Sequence, residues 1–107
     1  MKYMIMAGAL LLSSSISSAT GVYTVGAGKL TCEDFIRSKS NQAESFQISQ
    51  WVAGFITSFN FYSTGKPATP ETAEAMHKSL EVYCTKNPKE MIVYAAAVLV
   101  KQYRSEQ

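Results

Sequence analysis

Apolar residues in the middle of the chain recur with the spacing of an α-helix. Between Gln42 and Tyr62 one seam of them is spaced three or four residues apart, at Ile48, Val52, Phe55, Phe59 and Tyr62. This period puts the seam on one face of a helix. Trp51, Ile56 and Phe61 widen that face, so we expect a long helix from about Gln42 to Tyr62.

Two shorter helices are predicted from their start signals. Thr31 followed three residues later by Asp34 is a capping-box pattern, so one helix begins there and runs to about Ser38. Thr69 followed by Pro70 predicts the start of another helix, because a proline at the first helical position gives up no hydrogen bond. The inner face of this helix carries Ala73, Met76, Leu80 and either Tyr83 or Cys84.

A last helix is predicted after the sequence Asn87-Pro88-Lys89-Glu90, which resembles a second capping box. Residues 91–100 are ten apolar residues in a row, and the helix extends to about Arg104. A helix that is apolar on all sides is central or lies at an interface. No strand-like alternation is long enough to compete, so we expect an all-α domain of four helices over residues 31–107.

The N-terminal residues have the order of a secretory signal peptide. Lys2 precedes an apolar run of 10 residues, and a serine-rich stretch ends in the small residue Ala19. That run is short beside the roughly 20 residues of a spanning helix, although an uncleaved anchor or a buried helix is the alternative. We expect cleavage after Ala19, export to the periplasm, and no further membrane contact. Residues 20–30 then form a flexible arm or a loosely docked extended segment.

The two cysteines, Cys32 and Cys84, both lie in the part predicted to be exported. Two cysteines in a small exported domain are expected to pair, and closing a loop of about 50 residues stabilises the fold by roughly 4 kcal/mol. A free core thiol and a catalytic or metal-binding thiol are the alternatives. With one histidine in the chain, His77, neither a metal site nor a cofactor is expected.

Charge and composition exclude several functions. Removing Lys2 from the 10 basic residues leaves 9, against 8 acidic residues, a mature net charge of +1. That balance does not indicate a nucleic-acid partner, and the apolar content does not indicate disorder. His77 reads as a surface residue, and no paired carboxylates stand out, so we do not expect an enzyme.

Aromatic residues are the remaining feature. Most of those on the long helix are expected in the core, but a chain of this size cannot bury all of them together with a wholly apolar last helix. The surplus would form a dimer face or a surface that captures other chains. The residues predicted to bind a client or a second copy are Trp51, Phe55, Phe59, Tyr62, Ile92 and Leu99.

Three stretches resemble the HdeA/HdeB family of periplasmic acid-stress chaperones, including YmgD-type proteins. They are "LTCEDFI" at residues 30–36, the tryptophan-containing helix at 50–55, and "EVYCTKNPKE" at 81–90, and the likeness covers about residues 30–100. It implies a small helical domain with one disulfide, Cys32–Cys84. It also implies a homodimer at neutral pH that loosens in acid and holds unfolded periplasmic proteins on apolar surface.

The sequence departs from this family in its modest number of acidic residues and its more apolar middle and last helices. Exported immunity proteins that neutralise cell-wall amidases, the Tai/Rap class, have a comparable pattern, usually with more cysteines. We therefore expect a holdase, with two alternatives. One is an inhibitor that binds a single partner through the loop at residues 63–70. The other is a structural periplasmic protein of the same fold.

The holdase hypothesis rests on titration. Carboxyl groups protonate near pH 4 and histidine near 6.5, so full protonation takes the side-chain charge of the mature chain from +1 to 9 + 1 = +10. Repulsion of that size opposes association and compactness. The residues expected to respond to pH are Asp34, Glu71, His77 and Glu90.

Overall fold

The computed structural model describes residues 22–105, which fold as a small all-α domain. Its elements are α1 (Cys32–Arg37), α2 (Gln42–Tyr62), α3 (Ala73–Lys86) and α4 (Ile92–Ser105), with 3₁₀ turns at Gly26–Lys29 and Ser38–Ser40. Over the described range, an isolated bridge between Thr31 and Met91 is the only extended pairing. The four predicted helices are confirmed. The predicted signal segment, residues 1–19, lies outside the described residues.

Helix α4 is the central element, as its run of apolar residues predicts. It packs against both α2 and α3. Ile92, Ala95, Ala96 and Leu99 have no exposed surface at all. The small side chains of the two alanines let the neighbouring helices approach closely, while the larger residues fill the space between them. The core therefore forms around α4, and α2 and α3 cover it.

The predicted disulfide between Cys32 and Cys84 is present, and the two Cα atoms lie 4.8 Å apart. It joins the start of α1 to the end of α3, across 52 residues of sequence. Backbone hydrogen bonds reinforce this junction, since the Cys32 N–H donates to the Glu90 carbonyl at 2.7 Å and the Glu33 N–H to the Pro88 carbonyl at 2.8 Å. The turn before α4 is thus fastened to the start of α1.

The predicted cap of the first helix is also confirmed. The Asp34 N–H donates to the Thr31 hydroxyl at 3.2 Å, and the Thr31 N–H donates to the Asp34 carboxylate at 2.9 Å. This reciprocal pair satisfies two backbone groups that a helix start leaves without partners. A helix of six residues, Cys32–Arg37, is stable here because it is capped and covalently held.

The predicted start of the third helix is wrong. The N-cap is Thr72, whose hydroxyl accepts from the Ala75 N–H at 2.9 Å, and neither Thr69 nor Pro70 belongs to the helix. The cause is a clamp upstream. The Asn60 amide donates to the Ala68 carbonyl and accepts from the Ala68 N–H, both at 2.8 Å. This pairing holds Ala68 in the core and delays the helix.

The predicted capping box at the start of α4 is wrong as well. Asn87 ends α3 instead, with its side-chain amide and its N–H both donating to the Tyr83 carbonyl, at 2.9 and 3.0 Å. The next residues form a turn whose carbonyls bind the start of α1, and α4 begins at Ile92. Glu90 lies in that turn and not in the first turn of a helix.

Helix α2 has the predicted bounds, but its inner face is shifted. Ile48, Val52 and Ile56, spaced four residues apart, are buried, while Phe55 is half-buried. Tyr62, which the predicted seam includes, keeps 80% of its surface exposed. The buried residues lie on the side of α2 that packs against α3 and α4, and Tyr62 lies outside that side.

Residues 22–30, expected to be flexible or loosely docked, pack on the body of the domain. The 3₁₀ turn Gly26–Lys29 contacts both α2 and α4. Thr24 and Gly28 are buried, and Leu30 packs against the core. We call residues 22–30 the N-terminal strap.

Candidate protein-binding surface

Aromatic side chains line one flank of α2. The rings of Trp51 and Phe55 stack, with centroids 5.6 Å apart and planes 29° from parallel. Both are half-buried. At the end of the helix, Phe61 and Tyr62 are exposed and meet edge to face at 4.8 Å. Rings in these geometries bind apolar partners well because they present large rigid areas.

The N-terminal strap covers the first of these pairs. The Trp51 indole N–H donates to the Val25 carbonyl at 2.9 Å. Gly28 lies directly under the ring, and a Cβ atom added there would stand 2.3 Å from a ring carbon, Cζ2. Gly26, with a φ of 83°, lets the chain turn beside the indole. Two glycines and one hydrogen bond thus seat the strap on Trp51.

The connection between α2 and α3 is pre-formed beside the exposed pair. The Arg104 guanidinium lies over the Phe59 ring at 5.1 Å, and its Nε–H donates to the Lys66 carbonyl at 2.8 Å. Together with the clamp between Asn60 and Ala68, these contacts fix the loop to the end of α4. Phe59, one of the predicted binding residues, is therefore half-buried and already packs against Arg104.

Two predicted binding residues lie inside the core. Ile92 and Leu99 have no exposed surface, so no partner contacts them while the domain is closed. They become available only if α4 separates from α2 and α3. The accessible part of the predicted set is the flank of α2, with Trp51, Phe55 and Tyr62.

Two carboxylates fasten α1 and the turn after it. The Thr31 backbone N–H lowers the pKa of Asp34, and the nearby Arg37 adds to the effect. Glu81 of α3 forms a salt bridge with Lys39. The hydrogen bond from Lys39 lowers the pKa of Glu81. The sequence indicates a role for Asp34 but not for Glu81, since no local pattern places Lys39 beside Glu81.

His77 is not the surface histidine that its charged neighbours predict. It is half-buried, and its Nδ1 atom shares a short hydrogen bond with the Ser49 hydroxyl on α2. Its ring meets Phe35 of α1 edge to face, with centroids 5.2 Å apart. Glu81 interacts electrostatically with the same imidazole. His77 therefore joins three helices close to the acid-sensitive contacts.

The other two predicted pH-responsive residues have different positions. Glu71 is exposed in the connection before α3, and the cap of that helix does not involve it. Glu90 is half-buried in the turn before α4 and interacts with the Tyr83 hydroxyl. Burial raises the pKa of Tyr83, and the charge of Glu90 raises it further. Of the three predicted pH-responsive carboxylates, only Asp34 caps a helix.

Comparison with known proteins identifies no relative: no family model, no curated protein and no solved structure matches the chain. Between residues 22 and 105, no helix has both the length and the hydropathy that crossing a membrane requires. In that same range, no three side chains of His, Cys, Asp or Glu gather in a way that could hold a metal ion.

Proposed function

We propose that this protein is an exported, periplasmic holdase that opens in acid and binds unfolded proteins on the apolar surface uncovered. The observation that carries the proposal is the position of the two carboxylates with lowered pKa. Asp34 caps α1, and Glu81 holds the turn after α1 through Lys39. The Cys32–Cys84 disulfide ties the same region covalently. Acid therefore removes the ionic contacts and leaves the bond.

The sign of the pH effect follows from the direction of these shifts. A carboxyl group whose pKa is lower in the folded state stabilises the fold above its ordinary value, here 3.8 for Asp34 and 4.5 for Glu81. That stabilisation is lost as the pH falls through the lowered folded pKa. As the pH falls below those ordinary values, the cap of α1 weakens, and the turn after α1 loses its ionic attachment to α3.

Net charge acts in the same direction. The chain of residues 20–107 has 9 basic and 8 acidic side chains, so full protonation including His77 raises its charge from +1 to +10. This repulsion favours an opened state and opposes a homodimer, which we propose for neutral pH. Helix α4, with Ile92 and Leu99, then becomes accessible beside Trp51 and Phe55. Like charge on the loaded complexes keeps them in solution.

The test is the aggregation of a permanently unfolded client, reduced carboxymethylated α-lactalbumin, at pH 2–3 and at pH 7. We expect the protein to suppress aggregation in acid only. The double variant Asp34→Asn with Glu81→Gln, which removes both charges, should shift this activity toward neutral pH. Glu71→Gln is the matched control, because it removes one exposed charge outside both contacts.

Unchanged client aggregation at both pH values, with the same mass for the protein at pH 7 and pH 3, would contradict the holdase. Activity of the double variant with the pH profile of the native chain would contradict the trigger. It would leave the holdase proposal in place, with His77 and the total charge as the remaining candidates for the trigger.

A second candidate function is neutralisation of a single protein partner at neutral pH. The observation that favours it is the pre-formed end of α2, where Phe61 and Tyr62 are 78% and 80% exposed beside a loop fixed by Arg104. Exposed aromatic pairs on a rigid support are typical of binding hot spots. A partner would lose little entropy in docking there.

This second function is tested by affinity purification from periplasm at pH 7. A stoichiometric partner that the double variant Phe61→Ala with Tyr62→Ala no longer retains would support it. Phe46→Ala is the control, since Phe46 is 62% exposed near the other end of the same helix. Recovery of no stoichiometric partner, or equal recovery by all three proteins, would count against it.

A further inference from the structure

We propose that the N-terminal strap occupies the protein's own binding site, and that an apolar, glycine-containing segment of an unfolded protein binds there in its place. The site is the surface between α2 and α4 centred on Trp51. The inference deepens the proposed function by naming the site and the kind of segment it takes. Its geometry does not depend on the holdase hypothesis.

The strap is held by a backbone hydrogen bond and by close packing at two glycines. The Trp51 indole donates to a backbone carbonyl, that of Val25, which any residue could supply. The ring closes over Gly28, where there is no side chain. Ala27 and Leu30 pack against the core beneath. A client needs a backbone carbonyl for the indole N–H, a glycine that permits the turn at position 26, a glycine against the ring, and small apolar side chains beside it.

Side chains of the strap that face away from the domain contribute little to this docking. Val22, Tyr23 and Val25 are 66%, 92% and 69% exposed. Because the domain makes little contact with these side chains, the site discriminates mainly by the size and polarity of the residues that face inward. Tolerance at the outward positions lets clients of different sequence bind, provided that they carry the two inward glycines.

The C-terminal end of the strap is fixed by the Ile92 N–H, which donates to the Leu30 carbonyl at 2.8 Å, whereas the N-terminal end is weakly attached. That end is secured by one long hydrogen bond, from the Val22 N–H to the Tyr94 hydroxyl at 3.3 Å. Lys29 is the strap's one charged residue, and the disulfide begins only after it, at Cys32. The strap can therefore leave the domain while α1 stays in place. Replacement by a client exchanges one set of uncharged contacts for another.

The chain has a single tryptophan, so the fluorescence of Trp51 reports on the site directly. We would use the exported protein carrying Gly28→Val, which forces the strap off the indole. Gly54→Val is the matched control, because a Cβ at Gly54 meets nothing within 4 Å. The emission of Gly28→Val should shift to the red of the native chain. That of Gly54→Val should not shift.

The probe is a synthetic peptide with the sequence of residues 20–31, which contains no tryptophan. It should bind Gly28→Val saturably and return the emission to its native position. The same peptide with valine at position 28 should bind at least about tenfold more weakly, the factor that 1.4 kcal/mol of overpacking gives. In a competition for Gly28→Val at pH 7, reduced carboxymethylated α-lactalbumin should displace a fluorescein-labelled copy of the peptide, because this variant leaves the site open.

If Gly28→Val keeps its helical circular dichroism but the peptide does not bind, the inference fails. It also fails if the peptide binds and the unfolded client does not displace it, because the site then accepts only its own strap. If Gly28→Val lacks native circular dichroism, Gly28→Ala takes its place with the same required outcomes.

A native chain of twice the monomer mass that becomes monomeric in Gly28→Val would show the strap of a second copy in the site, which overturns the assignment to clients. The holdase proposal can fail separately. A chain that binds peptide and client at pH 7 but does not suppress aggregation in acid would end the holdase and leave this site assigned.

Discussion

Two segments pack on the same helical core through different contacts, and acid weakens the contacts of only one of them. The segment 31–40, containing α1, is capped by Asp34 and is held to the rest of the domain by a disulfide, backbone hydrogen bonds and the salt bridge between Lys39 and Glu81. The N-terminal strap is held by the indole of Trp51 over Gly28. The first attachment is covalent and ionic, and the second is uncharged.

The difference in chemistry gives the segments opposite responses. In acid, the carboxylates of segment 31–40 are protonated and its ionic contacts weaken, but the Cys32–Cys84 bond prevents its departure. The strap contains no acidic residue, so a fall in pH leaves its own contacts unchanged. Yet no disulfide holds its N-terminal end against a competing chain. Segment 31–40 is thus suited to sense pH, and the strap to exchange with a ligand.

Removal of the disulfide is expected to give the largest effect. The double variant Cys32→Ala with Cys84→Ala should lose about 4 kcal/mol of unfolding free energy, because the bond closes a long loop in the unfolded chain. Urea unfolding at pH 7 measures this. Treatment of the native protein with reductant should give a similar loss, and the double variant should not respond to reductant. A loss below about 1 kcal/mol would show that the other contacts of segment 31–40 suffice without the bond.

The matched glycines give the next largest effect. Gly28→Ala should lower the unfolding free energy by about 1–3 kcal/mol, because its Cβ overlaps the Trp51 ring. Gly54→Ala should raise it by about 0.5–1 kcal/mol, since Gly54 lies in an open part of helix α2. Urea unfolding at pH 7 and pH 4 should give the same loss for Gly28→Ala. Equal effects for the two glycines would mean that the strap is not seated as described.

Asp34→Ala should cost about 1 kcal/mol at pH 7, the usual loss for a helix cap. The pKa of Asp34 is lowered in the folded state, so its contribution is complete above its ordinary value of 3.8 and is lost as the pH falls below it. The difference from the native chain should therefore narrow by pH 3. Glu33→Ala, at a 60% exposed neighbour, is the control. A constant difference from pH 7 to pH 3 would remove Asp34 from the trigger.

Local signals predicted the helices of this fold well. The cap formed by Thr31 and Asp34 and the bounds of α2 both follow from residues within one or two turns of each other. The start of α3 does not, because Thr69 and Thr72 both precede acceptable helix starts. The choice between them depends on Asn60, which holds Ala68 through side-chain contacts eight residues away in the sequence.

The candidate site was predicted only in part, for the same reason. A periodic pattern placed Trp51 and Phe55 on one helix, and both lie at the site. It could not show that Gly28 lies under the indole, since that contact joins positions 23 residues apart and a glycine has no side chain to indicate a partner. Nor could it distinguish Tyr62, which is exposed, from Ile56, which is buried, because both fit an apolar seam.

The smallest expected effect tests the ionic attachment itself. A double-mutant cycle uses Lys39→Gln, Glu81→Gln and the variant with both changes. Its coupling energy should be about 0.5 kcal/mol at pH 7, because the two side chains keep 58% and 30% of their surface exposed. Lys39 lowers the pKa of Glu81, so the coupling should vanish as the pH falls below the ordinary value of 4.5. Salt should reduce it at pH 7, whereas the loss in Gly28→Ala should be indifferent to salt. Urea unfolding at two salt concentrations and two pH values measures both. A coupling that survives at pH 3 would show that the contact between Lys39 and Glu81 is not ionic in origin. In that case the contrast between a titrating segment and an uncharged strap would rest on Asp34 alone.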